Sequence, residues 1–165
     1  MTSGLREMRI LFASVFLVAV GNTLGAEQPL ESLENFPQTT ARITSSSGPQ
    51  LFTIWIADTQ ARSEQGLMFV RSLPHDKGML FPRNNSGPML MWMKNTLIPL
   101  DMLFVDQQGS ILYIKRNATP ESEEIIGVPT PVITPVAAVL ELAGGECNRR
   151  HIEQADRLVL HEATN

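Results

Sequence analysis

The chain predicts a mainly β domain, a β-sandwich or jelly-roll-like barrel with one or two short helices. Three observations lead there. Short runs rich in branched and aromatic residues recur between turn-forming residues. Only one stretch before the C-terminal third has helical character, and a long proline-rich connection interrupts the rest. Many short strands with few helices pack as a closed or two-layered β fold.

The elements follow in order. Arg42 to Ser45 and Gln50 to Ala57 form a hairpin around Ser45-Ser46-Ser47-Gly48-Pro49, a cluster of turn residues. Asp58-Thr59 offers an N-cap for a short helix over Gln60 to Met68, which Gly66 weakens. Met79-Leu80-Phe81 is a short strand, and Pro82 to Pro88 a loop. In Met89 to Lys94, three methionines alternate with Leu90, Trp92 and Lys94, so a strand there would place Met89, Met91 and Met93 on one face. Leu100 to Val105 and Ser110 to Lys115 form the clearest hairpin, joined by Asp106-Gln107-Gln108-Gly109. Asn117 to Pro135 contains Pro120, Pro129, Pro131 and Pro135 and reads as a long connection, of the kind that is often functional or mobile. Val136 to Leu142 is strand-like, Glu146 to His151 a helical turn, and Arg157 to His161 the closing strand.

The N-terminal segment sets the expected compartment. Arg6 and Arg9 precede an uncharged run of 11 residues, Ile10 to Val20, and small residues follow as far as Ala26. This is the pattern of a secretory signal peptide. A membrane span needs about 20 apolar residues, so no stable span is expected. The expected organisation is a signal peptide over 1–26, a flexible lead-in over 27–41 and a single domain over 42–162, in a protein that is exported to the periplasm or beyond the cell. Without Arg6, Glu7 and Arg9, the 13 basic and 17 acidic residues become 11 and 16, a formal charge of −5. That balance does not suit nucleic acid, and the one adjacent arginine pair, Arg149-Arg150, is flanked by Glu146 and Glu153. Cys147 is the only cysteine, so no internal disulfide can form and a buried, inert thiol is expected.

One block stands out: Trp92-Met93-Lys94-Asn95-Thr96 followed by Ile98-Pro99-Leu100-Asp101 and Phe104. Together with Gly66-Leu67-Met68, Arg71, Leu73, Gly78-Met79-Leu80-Phe81, Gly109, Ile111, Val139-Leu140-Glu141-Leu142 and Gly144, it resembles the domain-of-unknown-function 192 family over roughly residues 42 to 160. The resemblance implies a β-sandwich of jelly-roll kind, often exported or membrane-tethered, with no established activity. Two places depart from the family pattern: Ala155-Asp156 stands where Gly-Asp is common, and Val136-Ala137-Ala138 stands where an aromatic often precedes the Val-Leu-Glu run.

The chemistry-bearing candidates are Arg71, Trp92, Lys94, Asn95, Thr96, Asp101 and Glu141. Glu141 interrupts an apolar strand, and a buried carboxylate needs either a partner, with Lys94 and Arg71 the candidates, or a raised pKa. Trp92 beside Lys94, with Asn95, Thr96 and Asp101 following, suits a sugar or other small polar ligand, although Asn95 and Thr96 could equally fix a turn and Asp101 neutralise Lys94. The leading expectation is therefore a binding or accessory module for a small polar or carbohydrate-like ligand. A second is a hydrolase- or lyase-like enzyme, with Glu141 or Asp101 as acid/base and Lys94 or Arg71 as electrostatic stabiliser. A third is Cu(I) held by Met89, Met91 and Met93, against which core packing is the simpler use of methionine. His75, His151 and His161 lack zinc-like spacing, and nothing in the chain calls for a metal or cofactor. Protein partners and oligomeric state are left open.

Overall fold

The computed structural model describes residues 30–83, 88–129 and 135–161. The segment expected to be a signal peptide, the tip of the Pro82 to Pro88 loop and part of the long connection lie outside these residues. Seven strands form one curled sheet: β1 (Gln38–Ser45), β2 (Gly48–Ile56), β3 (Lys77–Pro82), β4 (Leu100–Val105), β5 (Ile111–Ala118), β6 (Ala138–Ala143) and β7 (Arg157–His161). Two short helices accompany them, α1 (Gln60–Gln65) and α2 (Glu146–Arg149). The spatial order is β5-β4-β6-β3-β2-β1-β7. All neighbours are antiparallel except β2 and β3, which are parallel because α1 lies in the connection between them.

The two outer strands approach each other at one end, so the sheet curls into a half-barrel. Ser110 and Arg157 form a bridge, Ile111 N–H donates to Asp156 O at 2.9 Å, and Leu158 N–H donates to Gly109 O at 2.8 Å. Gly109 permits this approach. Its φ is +80°, and a Cβ there would stand 2.0 Å from Leu158 O. The turn itself is built by Asp106, whose Oδ1 accepts from the Gln108 and Ser110 amides at 2.9 and 2.8 Å.

Both faces of the central strands are covered. The concave face carries Ala41, Ile43, Phe52, Ile54, Leu80, Leu103, Val105, Ile111, Leu140, Leu142 and Leu158, drawn from all seven strands. The opposite face of β3, β4 and β6 carries Met79, Phe81, Met102, Phe104 and Val139, packed beneath Phe36, Leu67, Met93 and Ile126. All six residues of β4 are consequently buried.

Several expected elements are found close to their expected limits, β4 and β7 with the same bounds. The methionine strand is not. Met89 to Lys94 has a single bridge, Met91 to Ile126, and crosses over the outer face of the sheet. Alternation there serves packing: Met93 is fully buried, while Met89 and Met91 are partly buried against the same core. The three sulfurs do not share an open strand face. Within the described part of the lead-in, β1 already begins at Gln38, and Glu31 and Phe36 before it are held against Arg62. Phe36 is buried beneath Arg62, whose guanidinium holds Glu31 through hydrogen bonds of 3.0 and 2.8 Å.

α1 starts where Thr59 accepts a hydrogen bond from Arg62 N–H at 3.2 Å and ends at Gly66, with φ +49°. Thr59→Ala is expected to cost about 1 kcal/mol, read as a lower urea midpoint with an unchanged slope.

Candidate functional site

The site grows from one register relation. Glu141 on β6 pairs with Met79 on β3 and Met102 on β4, so its side chain points to the outer face with those methionines. Over that face lie the end of α1 and the Met89 to Ile98 crossing. Between them is a cavity of about 30 Å³, lined on one side by Ser63, Glu64 and Gly66 and on the other by Trp92, Lys94 and Thr96, with Glu141 in its wall. Its volume suits one or two water molecules or a single polar substituent.

Glu141 is 3 % exposed. Among the described residues nothing donates a hydrogen bond to its carboxyl or forms an ion pair with it. Every fully enclosed side-chain polar atom among those residues does have a hydrogen-bond partner, so the Glu141 oxygens must open onto the cavity. Burial raises its pKa from the ordinary 4.5 to about 8. The carboxyl is therefore chiefly protonated at neutral pH and can donate as well as accept a hydrogen bond.

The Lys94-Asn95 turn shapes the rim. Asn95 sits at φ +57°, a conformation that asparagine tolerates better than most residues, and its carbonyl accepts from Phe69 N–H at 2.8 Å. Thr96 N–H returns to Met93 O at 3.0 Å, and Thr96 O accepts from Glu121 N–H at 3.0 Å. This geometry brings Thr96 into the cavity and places Lys94 Nζ 5.9 Å from the Trp92 ring centroid, a cation–π contact. Trp92 remains 49 % exposed.

Of the seven candidates, Trp92, Lys94, Thr96 and Glu141 line one cavity, and Asn95 borders the adjoining cleft. Asp101 is elsewhere. It pairs with Leu142, one residue out of phase with Glu141, and so faces the concave side. There it is fully buried, and its two oxygens accept from the main-chain amides of Asn117 and Cys147, each at 2.8 Å. Arg71 is exposed and lines none of the cavities around Glu141. The expected pairing of Glu141 with Lys94 or Arg71 is not found. Cys147 is buried and free, and burial together with the nearby Asp101 carboxylate raises its thiol pKa far above the ordinary value.

Sequence reasoning missed Gln60, Ser63 and Glu64. Their spacing on a capped helix was the available signal, because positions three and four apart share a face. Gln60 Nε2 donates to Glu64 Oε1 at 2.8 Å, and all three side chains line a larger groove of about 290 Å³ that also reaches Phe81, Met91 and Trp92.

A model of the DUF192 family, described as uncharacterised, matches residues 41–160. No curated protein matches the chain. Among solved structures, a protein of Sinorhizobium meliloti 1021 that its description proposes to be a transcription regulator is 40 % identical, with a TM-score of 0.69 over 76 % of this chain and 95 % of that one. A protein of unknown function from Novosphingobium aromaticivorans DSM 12444 is 32 % identical, with a TM-score of 0.71 over 82 % of this chain and 94 % of that one.

Proposed function

Since the chain belongs to the DUF192 family, whose description names no reaction, we propose on the geometry alone that it is a binding module for a small polar, carbohydrate-like ligand, acting after export. The observation that carries this reading is Glu141: a buried carboxyl with no partner among the described residues, opening onto a cavity beneath an exposed tryptophan and a lysine. A native protein rarely keeps such a group without use, because burying it unpaired is costly. A ligand hydroxyl or carbonyl entering the cavity would satisfy it, while Trp92 supplies apolar area and Lys94 a donor at the rim. The basic-then-apolar N-terminal pattern supports export. No helix of the described residues is long and apolar enough to cross a membrane.

A regulatory role like that proposed for the S. meliloti relative would call for a phosphate-tracking face. Here Arg62, Lys115, Arg116, Arg149 and Arg150 are each held by carboxylates of this chain. The raised pKa of Glu141 also favours a second reading, proton transfer to a bound substrate. Its companion carboxylate would then be Glu64 at the same cavity, in place of Asp101.

In a thermal-shift screen of monosaccharides, polyols and small carboxylates, a ligand at one hundred times its Kd should raise the melting temperature by about 9 °C. The shift should shrink in Lys94→Ala and disappear in Glu141→Leu, which leaves the cavity wall without a polar group. No shift with any compound would sink the reading, and release of product during incubation would replace it with the enzymatic one.

A further inference from the structure

We infer that the ligand is an extended neutral oligosaccharide lying across Trp92, with sugar units on both sides of the indole and one substituent directed at Glu141. This rests on the ligand-binding reading above.

Trp92 is common to three cavities: the 30 Å³ one at Glu141, the groove of about 290 Å³ along α1, and a cleft of about 400 Å³ bounded by Lys94, Asn95, Glu121, Glu123 and Ile125. Each of the two larger spaces lies at the lower end of the range for a single-ligand pocket, roughly 300–1,000 Å³. The smallest admits only a substituent. A ligand that fills them must therefore run from one to the next past the tryptophan.

The lining identifies its chemistry. Each larger space carries one large exposed apolar side chain besides Trp92, Leu90 in the groove at 57 % and Ile125 in the cleft at 59 %. Apolar surfaces at intervals along a polar track match the C–H faces of successive sugar rings. The charges along the track are mixed, with Glu64, Glu121 and Glu123 against Lys94 and Arg83, so neither sign of ligand charge is selected. A peptide added as a strand would need an open edge, and the main chain here is already engaged: Met91 N–H donates to Ile126 O at 2.8 Å and Ile126 N–H to Met91 O at 2.9 Å. Recognition falls to side chains with both donors and acceptors, which hydroxyl-rich ligands satisfy.

The test is calorimetric titration of the full chain with neutral malto-, cello- and chito-oligosaccharides of one to six units. In one of these series affinity should rise about tenfold or more from one unit to four and then level off, because the second contact becomes intramolecular. Ile125→Ser should remove the gain from added units while leaving monosaccharide binding intact, and Trp92→Ala should weaken every length. Both positions are exposed, so the core is untouched, and unchanged circular dichroism and melting temperature verify this. Equal affinity for one unit and four, still dependent on Glu141, would overturn the extended ligand but preserve the small-ligand reading. Failure of every length to bind would overturn both.

Discussion

Glu141→Gln is expected to make the protein more stable at alkaline pH, the reverse of what removing a useful ion pair does. In the unfolded chain this carboxyl loses its proton near its ordinary pKa of 4.5, whereas in the folded protein burial holds the proton until about pH 8. Between those values the folded state binds more protons than the unfolded one, so stability falls as pH rises through the window. Below pH 4.5 the cost is absent, and above pH 8 it is complete, on the order of 5 kcal/mol for a group with no partner to offset it. Glutamine keeps the shape and the polar cavity but never ionises. Urea unfolding from pH 5 to pH 9 should therefore show nearly equal stabilities at the acid end and a variant several kcal/mol more stable at the alkaline end. Parallel pH profiles would mean that the Glu141 carboxylate is stabilised in the folded protein after all. The same profile bears on function, since a ligand that accepts a hydrogen bond from the protonated carboxyl should bind more weakly above pH 8.

Asp101→Ala should do the opposite and destabilise the protein throughout the neutral range. Both carboxylate oxygens accept main-chain hydrogen bonds, a partly buried one from Asn117 at a β-bulge between β4 and β5 and a buried one from Cys147 at the start of α2. Truncation leaves the buried Cys147 amide without an acceptor, at about 1–3 kcal/mol, and removes the acceptor of the partly buried Asn117 amide, at about 1 kcal/mol, so a total loss of about 2–4 kcal/mol is expected. Asp101→Asn should cost less, because its amide oxygen still satisfies one donor. Ligand binding by the folded fraction should be unchanged. A variant with wild-type stability but lost binding would return Asp101 to the site.

The contrast between these two carboxylates marks where sequence reading stops. Both interrupt apolar strands, and from the sequence they are equivalent candidates for the same site. They sit on neighbouring strands, but Glu141 is opposite Met102, so Asp101 faces the other way. A single position of register separates a cavity from a structural brace. The methionines teach a related lesson. Their alternation is real, but a strand also needs a partner along its length, and Met91 alone has one. The polar cluster after Trp92 was legible because turn chemistry is local: Asn95 accepts positive φ, and Thr96 folds back on Met93.

Sequence alone determined the mainly β class, the family, the cap at Thr59, the Asp106 to Gly109 turn, the limits of β4 and β7, and the presence of a carboxyl, Glu141, within an apolar run. All of these are set by neighbouring residues or by the cost of placing a charge in an apolar run. The tertiary structure decided the approach of the start of β5 to β7, the second buried face of the sheet, the separation of Asp101 and Arg71 from Glu141, and the position of α1 beside the Glu141 cavity. Those depend on strand register and on contacts between residues far apart in the chain, which composition and periodicity do not encode.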